Sequence, residues 1–358
     1  MKILIDICHP AHVHFFKHAL PLLKAMGHEL IITSRFKDCT QSLLDAYNIQ
    51  HIPLSTPKVK GPFEFLSELF YRNIALYQVV KKTKPDLLTG VGGPFIAQVG
   101  KFSHTPSIVF QDSDNVPLQN IITYSLASCV ITPNCYHGWL PKNRHIQYEG
   151  YHELAYCHPN YFTPDKQIAL QNGVSDIWPT YFIRALAWVG IHDRRNQNLT
   201  LNILENCVTS LSKKGKVLIR SEKPLPDFFT PYLYAGKAEA LHHVLAHCSA
   251  FMGDSPTMAM ESAIFGVPAL YVSSIVSGHI LNIHSKYNLI VPVQQINWDV
   301  ISLALDKLLS TPKDYWDTQC NNLLKDTKDM PSWIVGSLTT FPKSLEDYNL
   351  SQTKKQDV

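Results

Sequence analysis

The chain has 358 residues, 45% hydrophobic and 17% charged, with a formal net charge of +3. Such a length exceeds one ordinary core and suits two domains of roughly 150 to 170 residues each, while the apolar content excludes wholesale disorder. Basic residues are scattered among acids, and short runs such as Lys81, Lys82 and Lys84, or Lys213 and Lys214, read as solvated helix ends, so no nucleic-acid partner is expected.

No apolar run reaches the roughly 18 residues that would mark a transmembrane helix. The first apolar run, ILIDI, carries Asp6 and has strand length, not signal-peptide length. A cytoplasmic location is expected, with peripheral membrane association left open. The eight cysteines are dispersed, none in a C-x-x-C pair, and read as reduced small hydrophobes with no metal framework.

In chain order, KILIDI reads as a strand and VHFFKHALPLLKAM as a helix; HELIIT and CTQSLLDAY repeat the pair. A long amphipathic stretch runs from Phe63 to Val80, followed by the strand-like PDLLTG, PSIVF and SCVIT. Such alternation predicts a parallel sheet covered on both faces, a Rossmann-like unit over residues 1–156. Residues 157–180, rich in Pro, Asn and Asp, read as a linker and the start of a second unit. The alternation then resumes with YFIRALAW, a helix around Leu199 to Leu211, KVLIR, AEALHHVLAHC, SAFMG, a helix after Ser255, PALYV and a helix around Val300 to Leu309. These predict a second Rossmann-like domain over 181–342, with 343–358 a flexible tail.

The most specific segment is AFMGDSPTMAMESAIFGVPAL, residues 250–270. A strand ends at Met252, Gly253 permits a tight turn, Asp254 or Ser255 can cap, and Pro256 suits the first helical position. The helix start would offer the amides of Ser255, Thr257 and Met258 and about half a positive charge, which suits a diphosphate. Glu261 stands one turn on, among Met258, Ala259, Met260, Ala263 and Ile264. A carboxylate there must be paired or bind something polar: either it accepts two ribose hydroxyls, or it forms a buried ion pair with an Arg or Lys.

The pattern D-S-x-T-M-A-x-E-x-A-x-x-G-x-P resembles the donor-nucleotide signature of GT-B glycosyltransferases and the related UDP-N-acetylglucosamine 2-epimerases. From Met1 to about Leu309 the chain also resembles an uncharacterised family of GT-B-like bacterial and archaeal proteins, through MKILIDICHPAHVHFF, YEGYHELAY and GDSPTMAMESAIFGVPA. The resemblance implies an α/β fold of two Rossmann-like domains facing a cleft. The second would hold the nucleotide, with Glu261 on the ribose, Ser255 and Thr257 near the phosphates, Arg220 by the diphosphate or base, and His242 against the base. Arg220 ends the strand KVLIR, a position that faces the ligand crevice of an open α/β sheet; the alternative is a surface pair with Glu222. His242, with His243 and His247, otherwise reads as a wet helix face.

In DICHPAHVHFFKHAL, Asp6, His9, His12 and His14 cluster at the end of the first strand. This unit lacks a glycine-rich phosphate loop, so it is expected to bind the acceptor or the sugar. A histidine titrates near neutrality and can take a hydroxyl proton; by the GT-B resemblance His12 is the first choice and His14 the second. Zinc binding by H-x-x-H-x-H with Asp6 or Cys8, or capping and burial, are the competing readings.

The segment DLLTGVGGPFIAQVGK, with Gly90, Gly92 and Gly93, resembles the acceptor-side loop of the transferase that adds N-acetylglucosamine to the lipid-linked peptidoglycan precursor; otherwise it is a tight turn needing positive φ. Asp112 and Asn115, in QDSDNVPLQN, are further acceptor candidates. By the GT-B resemblance Glu149, His152 and Glu153 of YEGYHELAY reach the cleft without an assigned role, and Arg194 or Arg195 of HDRR contacts phosphate unless both are solvated.

The functional expectation is a metal-independent, cofactor-free glycosyltransferase with a UDP-sugar donor and a saccharide or lipid-linked acceptor, in surface-polysaccharide or glycolipid synthesis. The string DSD at 112–114 lacks the sheet context of a metal motif. Epimerisation or hydrolysis of the UDP-sugar, with Asp6, Asp112 and Glu149 as acids and bases, is the enzymatic alternative. A non-catalytic sugar-nucleotide-binding protein is the alternative of another class.

Overall fold

The structure, a computed structural model, describes residues 1–36, 39–54, 64–114, 116–185 and 199–356, with the side chains of 64–69 and 355–356 left aside. The chain divides into two compact units, Met1–Tyr156 with Lys328–Val358, and Cys157–Thr327.

The first unit is built on β1 (Lys2–Ile7), β2 (Glu29–Arg35), β3 (Ile52–Leu54), β4 (Leu87–Val91), β5 (Ser107–Phe110), β6 (Cys129–Pro133) and β7 (His145–Tyr148). They form one sheet in the order β3-β2-β1-β4-β5-β6-β7, every neighbouring pair parallel. Ile3, Leu4 and Ile5 are all fully buried. Consecutive buried residues mean that both faces of β1 are covered, as helical crossovers require. Each such side chain contributes about 1.5–3 kcal/mol.

The second unit carries β8 (Thr180–Ala185), β9 (Lys216–Ser221), β10 (Ala250–Gly253), β11 (Ala269–Val272) and β12 (Ile290–Val293). Its sheet has the order β12-β11-β10-β8-β9 and is parallel throughout.

Each sheet reverses its winding once. In the first, β1 lies between β2 and β4, with Asp6 opposite Gly90. In the second, β8 lies between β9 and β10, with Arg184 opposite Arg220 and Gly253. Loops leaving such switch points at the carboxyl edge diverge to opposite faces and leave a crevice.

Two expectations about the ends of the units are corrected. Residues 343–358 were expected to be a flexible tail, yet Lys343–Gln356 is helical. The segment from Lys328 onward, expected to close the second domain, belongs to the first unit. The reason is hydrophobic: the helix Met330–Thr339 buries Met330, Ile334, Val335 and Leu338 and packs against the helix Ala19–Ala25. Residues 157–180 likewise belong to the second unit. There Asp165 caps the helix Lys166–Gln171, and its own amide donates to His243 Nδ1 at 2.9 Å.

Candidate functional site

In the second unit β10 ends at Gly253, where an added Cβ would collide with the backbone carbonyl oxygen of Arg184 on neighbouring β8. Only glycine allows that approach. The helix Pro256–Ile264 follows, with Ser255 as N-cap and Pro256 in its first turn. The Ser255 hydroxyl accepts from the Met258 amide at 3.4 Å. Met258 therefore does not supply the ligand-facing amide expected of it; those of Ser255 and Thr257 remain the candidates at this helix start, since Pro256 has none. Asp254 is 6% exposed, and its amide donates to Arg184 O at 3.3 Å.

Glu261, 4% exposed, meets His242, whose Nε2 lies 3.1 Å from Oε1. The Glu261 side chain therefore has neither the Arg nor the Lys partner considered from sequence at that contact. A carboxylate only accepts, so Nε2 carries the donated proton. His242 is itself 5% exposed, enclosed by the rings of Phe162 and Phe265. The wet-face reading fails for this residue, and two residues expected at the nucleotide form one buried pair.

Arg220 stands near the end of β9 and lines a cavity of about 480 Å³ with Lys223, Leu233 and Tyr234. Its suspected partner Glu222 is taken by Arg184, Nη2 to Oε1 2.8 Å, leaving Arg220 at the cavity wall. Burial raises the Tyr234 hydroxyl to about 12, against an opposing pull from Arg220, so it is a neutral donor at physiological pH. His192 to Arg195 lie outside the described residues.

The first unit sorts its candidates differently. Asp6 is 3% exposed and accepts from Arg72 Nη2 at 2.6 Å, Thr33 Oγ1 at 2.7 Å and Cys8 Sγ at 3.1 Å. A carboxylate so saturated and buried holds the sheet to the helix Glu64–Thr83; its expected catalytic role is withdrawn. Burial and the Asp6 charge push the Cys8 thiol far above its ordinary range, so it donates and is no nucleophile. Arg72 was missed from sequence, although Arg72, Leu76 and Val80, all buried, recur at helical spacing on the core-facing stripe.

The His9 ring caps the helix Pro10–Phe16, Nδ1 accepting from the Ala11 amide at 3.2 Å. His12 Nδ1 accepts from the Cys8 amide at 3.3 Å. A neutral His12 in this geometry carries its proton on Nε2 and presents a donor, not a base, which corrects the role expected of it. His14 lies 3.5 Å from the Tyr47 hydroxyl and against the Tyr156 ring.

Gly92 has φ +66, and its amide donates to Phe110 O at 2.8 Å. Its amide is thus committed to the sheet, and the turn reading accounts for it. At Gly93 an added Cβ would stand 2.8 Å from Ile96 Cγ1, so close packing explains that glycine.

Asp112, its side chain 23% exposed, faces His152 Nδ1 at 3.3 Å and accepts from Ser113 Oγ at 3.0 Å. Its amide donates to Gln111 Oε1 at 3.2 Å, and the Gln111 side-chain amide donates to Asn120 Oδ1 at 2.8 Å. His152 is 6% exposed, its ring 4.6 Å from that of Phe15. The acid is thus fixed in orientation while part of it reaches solvent. Asn115 lies outside the described residues. Among the described residues no group of three or more His, Cys, Asp or Glu is placed to hold a metal ion, and no helix is long and apolar enough to cross a membrane.

The model of one protein family, described as a protein of unknown function, DUF354, matches residues 1–289. The chain belongs to that family. An uncharacterised protein of Methanocaldococcus jannaschii, MJ0665, is 24% identical to this DUF354 chain over 281 residues, 75% of this chain and 81% of that protein. Among solved structures, the Staphylococcus aureus MnaA–UDP co-structure superposes with a TM-score of 0.71 at 13% identity, over 96% of this chain and 97% of that one. UDP-GlcNAc 2-epimerase from Neisseria meningitidis bound to UDP-GlcNAc gives 0.68 at 14%, over 95% and 100%. Spinosyn rhamnosyltransferase SpnG complexed with spinosyn aglycone gives 0.61 at 11%, over 95% and 100%. At these identities the likeness establishes the fold, two Rossmann-like domains of the GT-B class; reaction and substrate do not follow from it.

Proposed function

We propose that this DUF354 chain is an enzyme of nucleotide-sugar chemistry, a glycosyltransferase that binds a UDP-sugar through its second unit and a saccharide or lipid-linked acceptor through its first. The observation that carries the reading is the buried pair that Glu261, on the helix capped by Ser255, forms with His242 of the helix Leu241–Ala246. A carboxylate buried beside a histidine, one turn from the candidate amides of Ser255 and Thr257, suits a ribose joined to a diphosphate.

In this mechanism Glu261 receives the ribose hydroxyls, and the Ser255 and Thr257 amides with Arg220 stabilise the departing diphosphate charge. Asp112, held by Ser113 and His152, takes the acceptor proton. The Nε2–H of His12 donates to an oxygen of the reacting sugar.

Epimerisation at the sugar is the second reading, favoured by the higher TM-scores of the MnaA–UDP and UDP-GlcNAc 2-epimerase structures. It needs no acceptor, and it exposes a carbon-bound hydrogen to solvent.

The deciding experiment measures thermal shifts of the purified chain with UDP, GDP, CMP, ADP and UDP-N-acetylhexosamines, repeated on Glu261→Ala. Binding to the folded state raises its stability by mass action, by roughly 2.7 kcal/mol at a hundredfold excess over Kd. A uridine-specific shift that disappears in the variant is expected; no shift with any nucleotide overturns the reading. Incubating the bound UDP-sugar alone in deuterated water then separates the reactions, because deuterium in the recovered sugar means epimerisation.

A further inference from the structure

Strand β7 is an edge of the first sheet. The Arg144 and Tyr148 carbonyls accept from Val130 and Asn134 on the β6 side, so by the period of a strand Gln147 turns its backbone outward. Beside this edge the chain returns, with the Lys328 amide donating to Glu149 O at 3.2 Å. The helices Met330–Thr339 and Lys343–Gln356 follow.

Between these helices and β7 lies a cavity of about 1100 Å³, lined among others by Gln147, Glu149, Lys328, Asp329, Trp333 and Tyr348. Among the described residues, its lining includes Glu149 of the YEGYHELAY segment but neither Gly92, Gly93 nor Asp112, and no residue of 157–327.

Its chemistry is specific. Trp333 is half-buried, its ring braced on Tyr148 with centroids 4.8 Å apart, and Tyr348 is braced on His145 at 6.0 Å. Braced rings are low-entropy platforms for an apolar ring face. Around them stand the side-chain amides of Asn134, Gln147 and Gln352, which donate and accept without carrying charge, and the hydroxyls of Ser337, Thr340, Ser344 and Ser351, which donate to backbone carbonyls and are left to accept. Lys328 is outnumbered by Glu149 and Asp329, so no cationic field favours a phosphate or a polyanion. The volume exceeds what one hexose fills and matches the upper range of ligand pockets, about 1,000 Å³.

We propose that this cavity is a saccharide-binding site, taking a neutral oligosaccharide of a few rings, with one sugar face on Trp333 and its hydroxyls on Gln147 and the neighbouring acids. It stands independently of the nucleotide site and serves to hold a glycan chain on the first unit.

The test is saturation-transfer NMR titration of the full chain with three neutral probes, chitotriose, maltotriose and mannotriose, and with sialyllactose as an anionic control. At least one neutral trisaccharide is expected to bind in preference to the control. Its affinity should fall about tenfold or more, some 1.4 kcal/mol, in Trp333→Leu and in Gln147→Ala. Binding should persist in Glu261→Ala and withstand excess UDP. Because Trp333 packs on Tyr148, melting curves accompany that variant, and Gln147→Ala tests the same site without touching the packing. Failure of all three neutral probes, unaltered binding in Gln147→Ala, or displacement by UDP would overturn the proposal; loss of UDP binding alone would instead count against the nucleotide reading.

Discussion

Asp6 in the first unit and Glu261 in the second are buried almost equally, at 3% and 4% exposure, but their partners differ. Asp6 faces Arg72, a permanent cation that cancels its charge, with Thr33 and Cys8 as further donors. Glu261 faces a histidine, which supplies a donor without an obligatory charge. Asp112 follows the second pattern with His152. The first arrangement spends the acid on architecture; the second sets it against a histidine, and the proposed ligand roles of Glu261 and Asp112 rest on that difference.

The comparison breaks most visibly at Arg72. Arg72→Leu strands Asp6 as an uncompensated buried charge and should cost about 3–5 kcal/mol in chemical denaturation, while the pair Asp6→Asn with Arg72→Leu should recover much of that loss. Equal losses in the single and paired variants would mean that Arg72 acts by packing alone.

Asp112→Asn should behave in the opposite way. It is expected to leave the melting temperature and the nucleotide-induced shift nearly unchanged and to lower turnover roughly 10²–10⁴-fold, the usual contribution of a general base. Unchanged turnover would return the acid to a structural role. At the nucleotide end, Ser255→Ala removes the cap on the Met258 amide and should cost about 1 kcal/mol, with Ser255→Gly costing less.

The smallest effect is a pH slope. Burial, aided by the Lys17 charge, lowers His18 from 6.5 to about 4. Between those values the unfolded chain binds a proton that the folded chain refuses, so stability falls as pH drops from 6.5 towards 4. His18→Gln should flatten that part of a melting-temperature profile; an unchanged slope would assign the acid sensitivity to other groups.

How much of the site was legible follows from range in sequence. The helix start at Ser255 was readable because a capping hydroxyl and the amide it meets are three residues apart, and Pro256 punctuates the same turn. The spending of the Gly92 amide on Phe110 was not, since that bond joins residues brought together only by the sheet. The reversal of His12 from base to donor depends on which ring nitrogen meets the Cys8 amide, a matter of side-chain rotation that no spacing encodes.

By itself the amino-acid order determined the alternation of strand and helix, the need of Glu261 for a partner, and the absence of a glycine-rich phosphate loop after β1, because periodicity, capping and burial cost act within one or two turns of chain. Tertiary structure alone decided that Arg72 answers Asp6 across 66 residues and His242 answers Glu261 across 19, and that Lys328–Val358 returns to the first unit. Those outcomes depend on which apolar faces pack together, and packing brings into contact groups whose separation along the chain carries no local signal.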